Sequence, residues 1–168
     1  MKQVMILAIL VTLSAAWAAD PLFQLKINPE LLKEYDRYQQ KAAEITSLDG
    51  NPQILFSKEG ALWIPLDINQ FAGKKVQITL VYKCEGVPDT PPGVNPSVFG
   101  FKVMLCGSSP DKQFVGWQLG PFRGSCDWKG SVRKLSEPIP AGLNSFRLEL
   151  SSPGGNIWID ELFIEEIP

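Results

Sequence analysis

The chain of 168 residues carries 16 Lys and Arg against 18 Asp and Glu, three Cys and no His, for a formal charge of −2. One domain fits that length, and the missing histidine excludes Ser-His-Asp and Cys-His nucleophiles and every His-ligated zinc or iron site. Hydrophobic residues at 45% supply a core and argue against disorder, while the near-neutral charge lacks the basic stripe that nucleic-acid binding needs.

Met1 and Lys2 precede an apolar run, Val4 to Val11, which gives way to the small residues Ala15-Ala16-Trp17-Ala18-Ala19. This is the pattern of a secretory signal peptide over 1–19. The run is short for a bilayer, where about 20 residues are required, so no membrane span is expected after cleavage. The mature chain is expected outside the cytoplasm, secreted or periplasmic. Such a compartment permits disulfides, and three cysteines allow one bridge and one free thiol. Cys106 and Cys126 each close a strand-like segment beside a turn and are the expected pair; the other reading makes all three small buried hydrophobes.

Residues 20–52 read as a strand and helix extension. Leu22 to Ile27 suits a short strand, after which Asn28-Pro29-Glu30 supplies a helix cap, a proline at the first helical position and an acid in the first turn. Leu31, Leu32, Tyr35, Tyr38, Ala42 and Ile45 then recur at helical spacing, opposite Lys33, Glu34, Asp36, Arg37 and Lys41. An amphipathic helix is therefore expected over Pro29–Thr46, either packed on the domain or open to a partner, with Asp49-Gly50-Asn51-Pro52 turning the chain at its end.

From 53 to 168 the period becomes two. Strands are expected near Ile54–Phe56, Ala61–Leu66, Lys75–Cys84, Ser97–Cys106, Gln113–Leu119, Trp128–Leu135, Ser145–Ser151 and Gly155–Ile164. Eight strands at this spacing point to an all-β jelly-roll sandwich. The stretch Glu85–Pro96, with Pro88, Pro91, Pro92 and Pro96, reads as a long stiff loop.

With His-dependent chemistry excluded, paired carboxylates would be the route to catalysis. Asp127, Glu137, Glu149, Asp160, Glu161, Glu165 and Glu166 are available, and none stands in a spacing that demands the role. Asp160 is set apart by its apolar surroundings, Ile157-Trp158-Ile159 before it and Leu162-Phe163-Ile164 after Glu161. A carboxylate there needs backbone donors or a bound cation, and calcium, which takes oxygen ligands, suits an exported protein. Five Trp are many for this length; they fill the core or offer flat faces to sugar rings. Trp63 lies between Leu62 and Ile64, and Trp117 combines an aromatic plane with the donors of Gln118 and nearby Arg123, the mixture a sugar site needs.

The motifs of the second half carry a resemblance. Gly124-Ser125-Cys126-Asp127-Trp128-Lys129, Pro138-Ile139-Pro140-Ala141-Gly142, Phe146-Arg147-Leu148-Glu149-Leu150 and Gly155-Asn156-Ile157-Trp158-Ile159-Asp160-Glu161-Leu162 resemble the end of carbohydrate-binding modules of the galactose-binding-like jelly-roll type, found attached to glycoside hydrolases. Phe71-Ala72-Gly73-Lys74-Lys75-Val76, Val81-Tyr82-Lys83-Cys84-Glu85-Gly86 and Gly100-Phe101-Lys102-Val103-Met104-Leu105 resemble the opening and central strands of such modules, so the likeness runs from about Ala61 to Pro168. It implies a noncatalytic module that binds polysaccharide or oligosaccharide, with a structural calcium in some relatives near the acid matching Asp160. Two positions depart from the pattern: Cys126 stands where an aromatic is usual and Glu161 replaces a second Asp. No catalytic domain follows Pro168, so the chain is expected to bind without an attached enzyme. The expected function is that of an exported carbohydrate-binding protein with no enzymatic activity, contacting sugar through Trp63, Trp117, Gln118 and Arg123. The alternative is a structural or adhesion module that binds a protein partner through the same fold or the N-terminal helix.

Overall fold

The period-two alternation is realised as two stacked antiparallel sheets in the computed structural model, which describes residues 20–28, 30–32, 42–48 and 50–168. In chain order the strands are β1 (Phe23–Gln24), β2 (Ala43–Leu48), β3 (Asn51–Phe56), β4 (Glu59–Pro65), β5 (Lys75–Val87), β6 (Phe101–Ser108), β7 (Phe114–Phe122), β8 (Gly124–Lys134), β9 (Asn144–Pro153) and β10 (Asn156–Ile167). One sheet, here sheet A, has the order β2-β3-β10-β5-β8, with β1 added against β10; the other, sheet B, has the order β4-β9-β6-β7. All eight strands expected after residue 52 are present. The all-β sandwich expected from the pattern is therefore the fold.

Each long strand turns alternate residues inward because a pleated strand reverses its side chains at every step. On β5, Val76, Ile78, Leu80, Tyr82 and Cys84 are buried while Gln77, Thr79, Val81 and Lys83 lie outward. On β9, Phe146, Leu148, Leu150 and Ser152 face in and Arg147, Glu149 and Ser151 face out. Between the layers, Phe56, Phe101, Tyr82 and Phe122 form one aromatic cluster, with Tyr82 and Phe122 centroids 4.5 Å apart.

The N-terminal segment departs from its expectation. Asn28 Oδ1 accepts hydrogen bonds from the backbone N–H groups of Glu30 and Leu31, as a helix cap should, and Glu30–Leu32 are helical. Residues 33–41 lie outside the described residues, as does the leader over 1–19. The helix does not reach Thr46, because Ala43–Leu48 is a strand paired with β3, from Ala43 opposite Phe56 to Leu48 opposite Asn51. The physical reason is in the turn: an Asp-Gly pair between two strand-like runs specifies a two-residue hairpin, and Gly50 takes the left-handed φ of +85° that such a turn requires.

The proline-rich loop also moves. β5 continues through Glu85 to Val87, so the connection to β6 is Pro88–Gly100. It is tied to the sandwich by side chains: Gln118 Nε2 donates to Ser97 O at 3.0 Å, Arg123 Nε to Phe99 O at 2.9 Å, Lys102 Nζ to Val98 O at 3.0 Å, and the Arg123 guanidinium to Pro96 O.

Candidate functional site

Pairing across sheet B decides which residues share its outer face. Trp63 lies opposite Glu149, Glu149 opposite Met104 and Met104 opposite Gln118, which makes one row across all four strands. The next row runs Pro65, Arg147, Cys106 and Gly116. At about 4.8 Å between strands these rows span roughly 14 Å.

Aromatic rings stand at both ends of this face. Trp63 on β4 is 38% exposed, and the Arg147 guanidinium carbon sits 4.4 Å from its ring centroid, a cation–π contact. On β7, Phe114 is 64% exposed. Its ring lies over Gly116: a Cβ there would come within 2.8 Å of Phe114 Cε1, so glycine at 116 leaves room for the ring to lie down on the sheet. Between the rings, Arg147 donates to Glu149 Oε2 at 3.1 Å. The Cys106 thiol points to the same carboxylate oxygen at 4.0 Å, and burial pushes it up to about 11, with Arg147 opposing the rise and Glu149 adding to it. Arg147 Nε is buried and has no hydrogen-bond partner. A cavity of about 390 Å³ opens beside it, lined by Trp63, Pro65, Ser145, Phe146 and Arg147.

The residues expected to bind sugar divide. Trp63 is on this face and free to stack. Trp117 is not: it pairs with fully buried Leu105 and packs, half-buried, against the core from the inner side of β7. Gln118 is on the outer face, but its amide is engaged with the loop carbonyl of Ser97. Arg123 is likewise engaged with loop carbonyls, those of Pro96 and Phe99, and holds the loop down. Phe114, Arg147 and Glu149 stand on the candidate face without having been expected there. Their signal was the parity of two strands, Phe114/Gly116/Gln118 against Val115/Trp117/Leu119 on β7, and Arg147/Glu149 against Phe146/Leu148/Leu150 on β9.

The expected Cys106–Cys126 bridge is also corrected. Cys106 is in sheet B, whereas Cys126 is in sheet A directly opposite Cys84, with the two sulfurs 3.0 Å apart. Asp160 falls at a register irregularity of β10, between Ile159 and Glu161, and its Oδ1 accepts from Gln53 Nε2 at 3.3 Å. Calcium takes six to eight oxygens, and among the described residues no group of three or more Cys, Asp or Glu side chains gathers at any point.

No protein-family model and no curated protein matches this sequence. Solved structures match in fold. The C-terminal family 22 carbohydrate-binding module of Clostridium thermocellum Xyn10B superposes with a TM-score of 0.52 at 12% identity, over 76% of this chain and 83% of that one. A xylan-binding domain of family 22 gives 0.54 at 12% identity, over 76% and 85%. The first family 22 xylan-binding domain of Paenibacillus barcinonensis Xyn10C gives 0.53 at 13% identity, over 91% and 98%. These likenesses establish the fold alone: a jelly-roll β-sandwich like that of the matched modules.

Proposed function

We propose that this chain is a noncatalytic carbohydrate-binding protein that works outside the cytoplasm and takes a polysaccharide or oligosaccharide chain across the outer face of sheet B. Sugars present flat C–H faces ringed by hydroxyls, so they are held by aromatic planes with hydrogen-bonding groups between them. Trp63 and Phe114 supply the planes, and Arg147 and Glu149 supply the polar floor. The observation that carries the reading is the Trp63–Arg147 pair: an indole 38% exposed, with a guanidinium carbon 4.4 Å from its ring centroid and part of the Arg147 side chain still open to solvent. The part of the guanidinium that reaches solvent offers N–H donors to sugar hydroxyls.

The matched family 22 domains described as xylan-binding make xylan the first ligand to try. Export rests on the leader pattern of residues 1–19, and no helix among the described residues is long and apolar enough to cross a membrane. A protein partner docking on the N-terminal helix draws no support, because most of that helix falls outside the described residues and its end is a strand. The test is affinity electrophoresis through gels containing xylan, soluble cellulose derivatives or mixed-linkage glucan. Retardation in at least one gel, lost in Trp63→Ala and in Arg147→Ala folded variants, is the expected result. Equal mobility of parent and variants in every gel would remove this face as the binding site.

A further inference from the structure

The sandwich brings two of the three cysteines together far from the aromatic face. Cys84 on β5 and Cys126 on β8 are partners in the antiparallel register, and their Sγ atoms are 3.0 Å apart. Facing residues on antiparallel strands have Cα atoms about 4.5–5.5 Å apart, inside the window of about 4.4–6.8 Å that a disulfide spans. The pair sits between two register shifts of the β5–β8 ladder, at Tyr82/Cys84 and Cys84/Val87, and its sulfurs must close by about 1 Å to reach the bonded length of about 2.05 Å.

Access differs between the two sulfurs. Cys84 is fully buried on the inner side of β5, and burial, with its neighbour Cys126 adding, pushes its thiol above the ordinary range. Cys126 is half-buried, and both border an open cavity of about 420 Å³ with Lys83, Glu85, Ser125 and Asp127. A small reagent entering that cavity meets Cys126 first. Cys106 is isolated in the other sheet and fully buried.

We propose that Cys84 and Cys126 form a disulfide-forming dithiol that closes by exchange with a disulfide-bearing oxidant, while Cys106 remains a thiol. In the first step the Cys126 thiolate attacks one sulfur of the oxidant; a Cys126–S–S–R bond forms and one R–S⁻ leaves. Cys84 then gives up its proton and attacks Cys126 Sγ, forming the Cys84–Cys126 bond and expelling the second R–S⁻. The two cysteines lose two protons and two electrons, and the oxidant leaves as two R–SH.

The bond would act at the base of the Pro88–Gly100 loop. Cys84 lies just before the point where β5 hands the chain to that loop, and Cys126 follows Arg123, which grips the loop at Pro96 and Phe99. Ser125 already links the same two strands, its Oγ accepting from Gly86 N–H at 2.9 Å. Oxidation would lock the edge strand β8 to β5 at the place where the loop is held.

The experiment equilibrates the full, reduced chain with glutathione buffers of rising oxidised fraction, quenches with acid, alkylates the free thiols and maps the peptides by mass. A linked Cys84–Cys126 peptide with Cys106 alkylated throughout is the expected result. Cys84→Ser should stop at a Cys126–glutathione adduct, and Cys126→Ser should yield no bridge. Any bridge involving Cys106, three alkylated cysteines in fully oxidised buffer, or a persistent glutathione adduct in the unsubstituted chain would overturn the assignment. If either serine variant fails to fold, the map of the unsubstituted chain decides alone.

Discussion

Replacement of Trp63 by alanine is the sharpest perturbation of the proposed sugar face. Trp63 is 38% exposed, and a tryptophan side chain carries about 150–250 Å² of contact surface, so roughly 60–95 Å² of ring is open to a ligand. At about 25 cal/mol per Å² removed from water, covering that area contributes about 1.5–2.4 kcal/mol. Its loss weakens binding roughly ten- to sixtyfold. Isothermal titration calorimetry with a xylo-oligosaccharide, or with whichever glycan retards the parent chain, reads this directly. Truncation also empties the buried part of the site, so the unfolding midpoint is measured beside the affinity and only folded variants count. Trp158 supplies the control: it sits on the outer face of sheet A with Lys83 Nζ 5.2 Å from its ring centroid, a similar cation–π pair on the wrong side of the sandwich. Trp158→Ala should bind as the parent does. If Trp63→Ala keeps full affinity, or if Trp158→Ala loses as much, the reasoning from face and exposure is refuted.

Three further outcomes are expected. Cys84 and Cys126 are separated by 42 positions, and closing a loop of that length in the unfolded chain stabilises the fold by about 4 kcal/mol. Scanning calorimetry should place the oxidised chain roughly 8–16 °C above the reduced one, and coincident midpoints would count against the bridge. Burial pushes the Cys106 thiol from 9.0 up to about 11, so the folded chain keeps a proton that the unfolded chain releases. Its stabilisation is therefore complete below pH 9 and lost as pH rises toward 11, an effect of about 2–3 kcal/mol. Denaturant titrations of the parent should show this decline and those of Cys106→Ala should show less; parallel curves would contradict it. Dialysis against chelator should leave the unfolding midpoint in place, because the Asp160 carboxylate already accepts a hydrogen bond from Gln53; a fall of several degrees would place calcium at Asp160.

The fold was legible because the alternation on β5 and β9 runs long enough to fix two faces. A helix reading of 29–46 was favoured by apolar residues at three- and four-residue spacing. What overrode it at Ala43–Leu48 was chemistry of another kind, β-branched Ile45 and Thr46 leading into an Asp-Gly hairpin turn. At the site, Trp117 reads as a sugar contact through its polar neighbours, although it shares its parity with Val115 and Leu119, the apolar side of β7. Gln118 and Arg123 looked like free donors because nothing local shows that the loop carbonyls of Ser97, Pro96 and Phe99 come back to meet them. The Trp63–Arg147 contact joins strands far apart in the chain, and only the β4–β9 register creates it. The Cys84–Cys126 pair likewise exists through the β5–β8 register alone.

Both outer faces carry a tryptophan with a cation above it, so the choice between them turns on what each cation has left to offer. On sheet A, Lys83 is paired with Glu85 at 3.0 Å as well as lying over Trp158. Its stem is flexible and its head reaches water, where every N–H finds an acceptor. On sheet B, Arg147 is fixed from two sides, by Glu149 and by the Trp63 ring, and its Nε–H is buried without an acceptor. Its side chain as a whole is 23% exposed beside the ring, so on the proposed reading a sugar laid against Trp63 meets guanidinium donors already fixed in place. A sugar stacked on the ring would then hydrogen-bond the same guanidinium, which would couple the apolar and polar halves of recognition in one place. That coupling predicts a pattern no single contact would give: Arg147→Lys keeps the charge but loses the planar fork, so it should weaken glycan binding and should also erase most of the difference between the Trp63→Ala variant and its parent in a double-mutant cycle. Additive losses would mean that the two residues act separately and that the ligand does not sit between them.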